Sequence, residues 1–319
     1  MITDTLILTF CFMGDVLPGD FLKNRVPPDS GFYLFKDVYN FLEYSDLSFA
    51  NFEGTFNLDV KERRKDYKFL VPLSVIPGLK KSKIKAFSIA NNHIYDGGES
   101  SAKKTYEILK KEGFLVSGLK GSFDTITIKG IKVGFVAFSV YDYTNSIFNK
   151  DDLSLIGDIS KNVNILVVSF HAGTEGDSAI HVKDKFEYFY GEKRGNVKEF
   201  ARFAIDNGAD VVYGHGPHVI RGLEIYKDRI VSYSLGNFAA YGGFNLKYPR
   251  NISFILKVKL NGNGEFLEGE IIPIILQAPG IPKYDHSKEA VFLLKRLIEE
   301  DKLEGVKIEG EKILRVNYK

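Results

Sequence analysis

Apolar runs that stop at short loops of histidine, asparagine and acidic residues recur along this chain. That pattern constrains its fold more than any other feature. The clearest case lies between Ala209 and Phe238. Ala209-Asp210-Val211-Val212-Tyr213 reads as a strand and runs into the loop Gly214-His215-Gly216-Pro217-His218. A β-rich segment, Val219 to Tyr226, follows; then come Ile230-Val231-Ser232-Tyr233 and Ser234-Leu235-Gly236-Asn237-Phe238. Glycine and proline keep such a loop tight and free of bulky neighbours, so two imidazoles three residues apart can aim at one point.

The same arrangement appears elsewhere. Leu6 to Met13 ends at Gly14-Asp15, and Leu47-Ser48-Phe49-Ala50 delivers Asn51-Phe52-Glu53-Gly54. Ile84 to Ala90 ends at Asn91-Asn92-His93-Ile94-Tyr95-Asp96-Gly97-Gly98. Asn164 to Phe170, apolar enough for a strand buried on both faces, ends at His171-Ala172-Gly173-Thr174-Glu175. Open α/β sheets form ligand sites outside the carboxyl ends of their strands, so these loops are expected to meet. Carboxylates, imidazoles and amides suit Mn, Fe, Zn or Mg, and no thiolate calls for a softer ion. Six such groups exceed one tetrahedral ion and fit a two-metal site.

Taken singly, these residues are ordinary. Asp15 reads as a turn aspartate, Glu53 as a solvated loop acid and Asp96 as a cap before Gly97-Gly98. Their coincidence carries the argument. Four of the six histidines (His93, His171, His215, His218) stand in loops directly after strands, whereas His181 and His286 do not.

Helical spacing is expected over Phe32 to Tyr44 and over Ser100 to Glu112, which stops at Gly113. It is also expected over Asn196 to Asn207, capped by Asn196 and closed by Gly208, and over Ser287 to Asp301. Short strands are expected at Leu115 to Ser117, Asp124 to Ile128 and Lys132 to Val140. A hairpin joins Ile252 to Leu260 with Phe266 to Leu276, and a last short strand follows the final helix. Lys61 to Lys68 reads as a solvated charged loop, and Gly176 to Gly195 as a polar, aromatic-rich insertion serving as lid or substrate wall. The alternation implies mixed sheets with helices outside them. We read one domain over residues 1–319, with the C-terminal hairpin and helix (about 252–319) packed on it.

A formal net charge of +2 and the lack of a basic run alternating with aromatics exclude nucleic acid as a main partner. The single cysteine, Cys11, lies in an apolar strand and offers neither a disulfide nor a thiolate cluster. Leu6 to Met13 is too short to span a bilayer. The chain is expected to be soluble: cytoplasmic as written, or at the cell surface where a leader or anchor has been removed.

Asn91-Asn92-His93-x-x-Asp96-x-Gly98, His171-x-Gly173-x-Glu175, Gly214-His215-x-Pro217-His218 and Tyr233-Ser234-Leu235-Gly236-Asn237-Phe238 together resemble the CapA family. These are poly-γ-glutamate and capsule biosynthesis proteins of the calcineurin-like metallophosphatase superfamily. The likeness runs from about Gly14 to about Phe238. It implies a four-layer α/β/β/α sandwich with mixed sheets and two divalent ions, Mn, Fe or Zn, at the sheet ends. It also implies metal ligation by Asp15, Glu53 (with Asn51 beside it), Asn92, His171, His215 and His218, with His93 as the catalytic histidine. Two departures matter: Leu17 stands where many relatives have a histidine, and the last pair is spaced His-x-x-His. The first metal is therefore expected to lack one ligand, which water, Asp20 or substrate would supply.

The expected activity is that of a metal-dependent phosphoesterase-like hydrolase using a metal-activated water. His93 is oriented by Asp96, and Glu175, Arg221 and Asn237 meet the substrate beside the insertion around Tyr188 to Arg194. Arg221 suits an anion through its bidentate fork. The position of Leu17 motivates an alternative: a non-catalytic, metal-dependent binder of an anionic polymer such as poly-γ-glutamate, serving capsule-synthesis machinery.

Overall fold

Side chains alternate across a strand, and here the alternation sorts three hydrophobic layers. In the strand Ile7–Leu17, Leu8, Phe10 and Phe12 face one buried cluster while Cys11 and Met13 face another. The computed structural model describes residues 6–20, 22–58 and 68–316. Of the charged run that begins at Lys61, only Lys68 falls within them.

Two sheets form the centre. The ten-stranded sheet runs, in order, Val306–Glu309, Lys312–Arg315, Phe266–Gln277, Ile252–Asn261, Ile7–Leu17, Leu47–Phe52, Ala86–Ser88 and Leu115–Ser117; Asn237–Ala240 and Ile281–Tyr284 join off that path. The six-stranded sheet runs Ile220–Tyr226, Arg229–Leu235, Val211–His215, Ile165–His171, Ile131–Ser139 and Asp124–Ile128. Ile7–Leu17, Leu47–Phe52, Ala86–Ser88 and Leu115–Ser117 are parallel, as are Arg229–Leu235, Val211–His215, Ile165–His171 and Ile131–Ser139. Hairpins close the sheets with antiparallel edges.

The sheets pack face to face through Phe10, Phe12, Phe49, Phe135 and Tyr213, whose rings contact one another. Glu99–Lys111 covers the outer face of the first sheet through Ala102 and Leu109. Lys150–Ser160 and Val197–Asp206 cover the second through Ile156, Ile159, Phe200 and Ala204. The result is the four-layer α/β/β/α sandwich with mixed sheets. Glu289–Glu300 wedges Ala290, Leu293, Leu294 and Leu297 into the central layer beside Ile220–Tyr226. No helix among the described residues is long and apolar enough to cross a membrane.

Local signals account for most boundaries. The Asn196 side chain accepts from Glu199 N and starts its helix, as expected from a cap. The Phe32 to Tyr44 expectation resolves instead into a 3-10 segment, Asp29–Phe35, and one short turn, Tyr39–Leu42. Ser30 and Gly31 adopt positive φ there and break the helical path. Elements without an expectation include the helices Ile76–Lys81 and Lys150–Ser160, the strand Ile281–Tyr284, and the hairpin Glu187–Phe189 with Glu192–Gly195 inside the insertion.

Candidate metal centre

The site begins with a backbone crossing. A Cβ on Gly14 would stand 1.9 Å from the Gly236 carbonyl oxygen, so only glycine lets the two backbone segments approach this closely. Asp15 N then donates to Gly236 O at 2.9 Å. That crossing sets Asp15 in register with Asn237 on one side, and pairing with Leu47–Phe52 sets it in register with Asn51 on the other. In the facing sheet, His171 and His215 are register partners on adjacent parallel strands. All of these side chains are buried.

The two sheets meet at this cluster. Asn51 Nδ2 donates to Asp15 Oδ1 at 2.9 Å and also to Glu53 Oε2, clamping both carboxylates. Asn91 Nδ2 holds Asn51 Oδ1 at 3.1 Å, and Asn91 Oδ1 accepts His93 N at 3.0 Å. From the other sheet, His171 Nδ1 lies 3.7 Å from Glu53 Oε2 and His215 Nδ1 lies 3.1 Å from Asp15 Oδ1. His218 Nδ1 lies 3.1 Å from Asp15 Oδ2 and 3.0 Å from Asn237 Oδ1. His218 has φ 59°, a left-handed conformation uncommon outside glycine and often kept at functional positions. His93 Nδ1 bonds Asp96 Oδ2 at 2.6 Å, and its Nε2 lies 3.9 Å from Glu53 Oε1.

The electrostatics fit a cation. Burial pushes the Glu53 carboxyl well above its usual range, and the Asp15 charge adds to this. Burial also opposes ionisation of Asp15, but the close approach and charge of the His215 and His218 imidazoles outweigh it and hold Asp15 ionised. Burial keeps the His171 imidazole neutral well below the ordinary histidine range, the form that ligates a metal. Desolvation opposes charge on His218 too, but Asp15 raises it to about 9.

The hydrogen-bond inventory agrees. Asp15 Oδ2, Glu53 Oε1 and both ring nitrogens of His171 and of His215 are buried and make no hydrogen bond of acceptable geometry. Orphaned buried polar atoms cost free energy, so such a cluster in one place asks for a partner. Asp15, Glu53 and His171 each offer one ligand atom within 4.8 Å of the others. Metal bonds to oxygen and nitrogen are about 2.0–2.2 Å, so this spacing is close to what one ion spans. The donor set therefore fits a divalent cation.

The cluster opens into a cavity of about 560 Å³. Asn92, His93, Glu175, His218 and Asn237 line it, with Phe69, Phe244 and Arg250. Phe189 and Tyr190, at the tip of the insertion's hairpin, form part of its wall. Glu175 is held by Arg194 at 2.9 Å. Phe69 stacks on His93 with ring centroids 4.0 Å apart, and Phe69 N donates to Asp96 Oδ2 at 2.7 Å.

Arg221 is the correction. It was expected to face substrate, but it is fully buried and absent from the cavity wall. Its guanidinium forks onto Glu187 at 2.9 and 2.8 Å and donates to Ala179 O at 2.6 Å. Asp20, considered as a substitute ligand, pairs with Lys23 at 3.3 Å. Leu17 packs in the apolar cluster beside Phe52 and Phe238. Asn51 and Asn91 act as clamps, and Arg250 and Phe244 as wall residues; sequence reasoning gave them no such roles. The amide pairs Asn51/Glu53 and Asn91/His93, two apart on strand ends, carried the available signal.

The chain matches the family model of the bacterial capsule synthesis protein PGA_cap over residues 9–241. It is 26% identical over 301 residues to the capsule biosynthesis protein CapA of Bacillus anthracis, covering 86% of this chain and 69% of that one. To the PGA biosynthesis protein CapA of Bacillus subtilis (strain 168) it is 25% identical over 310 residues, covering 90% and 77%. Among solved structures, a hypothetical protein from Thermus thermophilus aligns with a TM-score of 0.51 at 14% identity, covering 83% of this chain and 98% of that one. That last likeness speaks to the fold alone.

Proposed function

The chain belongs to the bacterial capsule synthesis family PGA_cap, and on that premise we propose that it is a metal-dependent hydrolase of an anionic capsule-related substrate, either a phosphoester or a poly-γ-glutamate-type polymer. One observation carries this reading. Asp15, Glu53 and His171 form a buried, under-satisfied donor set, and His218 and His93, which adjoin Asp15 and Glu53, line the neighbouring cavity.

Asp15, Glu53, Asn92, His171, His215 and His218 are the residues that would hold two divalent ions, with manganese the first to test. When bound, such ions supply an acidified water and positive charge facing an anionic transition state. The protein's own groups do the rest. Asn51 fixes both carboxylates. Asp96 accepts from His93 Nδ1–H, so it is the imidazolium form of His93 that, from Nε2–H on the side of Glu53, would hand a proton to the leaving group and return to the neutral Nδ1–H ring. The Phe69 ring against His93 limits its rotation and shields it from bulk water.

The test is turnover by Mn²⁺-loaded protein on p-nitrophenyl phosphate, its bis-ester and a γ-linked glutamate polymer. Hydrolysis should require metal and collapse in His93→Ala with metal content kept. Unchanged turnover in that variant removes the mechanism. A second reading, a non-catalytic polymer binder, is favoured by Leu17, which adds no ligand to an Asp15 already shared among His215, His218 and Asn51. Tight polymer binding with no turnover would select it.

A further inference from the structure

We propose that Arg250 recognises a second anionic group on the substrate, so that the site selects oligoanions over single anions. This rests on the metal-site reading above and deepens it. Among the described residues lining the cavity, Arg250 alone carries a permanent positive charge. Only its Nε is engaged, by Asp177 Oδ1 at 2.6 Å; its two terminal amino groups donate to no acceptor among the described residues. Asp177 is 57% exposed, so solvent screens its charge and it orients the guanidinium more than it neutralises it. The outer edge of the fork keeps two parallel N–H donors unspent, the geometry that grips a carboxylate or phosphate.

Its backbone is tied to the metal cluster by two hydrogen bonds. Asn237 Nδ2 donates to Arg250 O at 3.1 Å, and Asn237 Oδ1 meets His218 Nδ1 at 3.0 Å. These bonds tie the Arg250 backbone to the edge of the metal cluster, while Asp177, which is not part of the cavity wall, holds its guanidinium. The anion this guanidinium would meet is therefore a second one, apart from any group at the metals. The cavity volume of about 560 Å³ leaves room for both anions and a linker between them. Arg194 and Arg221 cannot serve, because their donors are spent on Gly173 O, Tyr141, Glu192 and Glu175, and on Ala179 O and Glu187.

Calorimetric titration of the Mn²⁺-loaded full chain tests this with three probes: γ-linked triglutamate, inorganic triphosphate and inorganic phosphate. Arg250→Gln should weaken at least one oligoanion tenfold or more, and at least fivefold more than it weakens phosphate. Whichever oligoanion responds identifies carboxylate or phosphate as the second group. Asp177→Asn breaks the same ion pair but leaves the cation, so oligoanion binding should hold or tighten. Equal losses in Arg250→Gln and Asp177→Asn would mean that Arg250 only pins a loop, and would overturn the proposal. Equal losses for phosphate and oligoanions, or no oligoanion binding by the unmodified protein, would do the same. Failure of the hydrolase reading is separable, since it would show as absent turnover with this binding pattern intact.

Discussion

His93 Nδ1 lies 2.6 Å from Asp96 Oδ2, while the same imidazole stacks on Phe69 with centroids 4.0 Å apart. One tautomer and one orientation are therefore enforced. General acid catalysis of this kind contributes about 10²–10⁴-fold. We expect His93→Ala to lower kcat by that range with metal content unchanged. Asp96→Asn should lower it less, because the ring stays in place but its proton assignment is released. Single-turnover rates with parallel metal analysis check both.

Glu53 shows the opposite signs expected with and without metal. In the metal-free protein its buried carboxyl is pushed up by burial and by Asp15, so Glu53→Gln should stabilise that form by about 1–3 kcal/mol. The same change removes a ligand. Unmodified protein at a metal concentration of 100 Kd should gain about 2.7 kcal/mol over its chelated form, and Glu53→Gln or His171→Ala should lose most of that gain. Urea unfolding of the three proteins with Mn²⁺ and with EDTA measures every combination.

The pH dependence follows from His218. Its pKa is raised to about 9 by Asp15 against the opposing effect of burial. In the metal-free fold this pair's stability is fully present below the unfolded histidine value of ~6.5 and is lost as pH rises through about 9, up to about 3 kcal/mol in all. A metal must displace that proton, so affinity should climb roughly tenfold per pH unit over the same window. Stability without metal thus falls where metal affinity rises. His218→Gln should flatten both slopes.

Much of this site was legible in the sequence because its determinants are local. A strand end followed by glycine and a ligand-type side chain fixes both place and chemistry. Register then does the joining, as in His171 beside His215 and Asp15 between Asn51 and Asn237. What was illegible depends on partners distant in sequence. Arg221 shows the polar signature of a substrate residue, yet Glu187 claims it from 34 residues away. Arg250, remote from every motif, reaches the cavity only through the turn that Asn237 caps. The helix Lys150–Ser160 was locally signalled by Asn149, whose side chain accepts from Asp151 N and Asp152 N, and by Ile156 and Ile159. Its polar first turn masked the stripe.

The Arg221–Glu187 fork is buried at both ends, with side-chain exposures of 0% and 6%. Removing one partner leaves an uncompensated charge, a loss of about 3–5 kcal/mol. Arg221→Ala should therefore lower unfolding stability by that amount, and replacing both by a Met/Leu pair should recover much of it. A loss in catalysis without any loss in stability would instead return Arg221 to the substrate.

Tyr190 closes a two-residue turn between Phe189 and Glu192, with φ 46° at Tyr190 and 82° at Gly191. Two positive φ values in sequence are the requirement of a type I′ hairpin turn, where asparagine is preferred at the first position and a bulky aromatic is disfavoured. Tyr190 nonetheless holds its ring 96% exposed at the rim of the cavity, so packing does not repay the strain. Tyr190→Asn should raise stability by about 0.5–1 kcal/mol, read from the urea midpoint. If the ring covers bound substrate, the same variant should raise KM severalfold with kcat held. Stability and substrate affinity would then move in opposite directions from one substitution. A more stable variant with unaltered KM would mark the ring as bystander and leave Phe189 as the hairpin's contact.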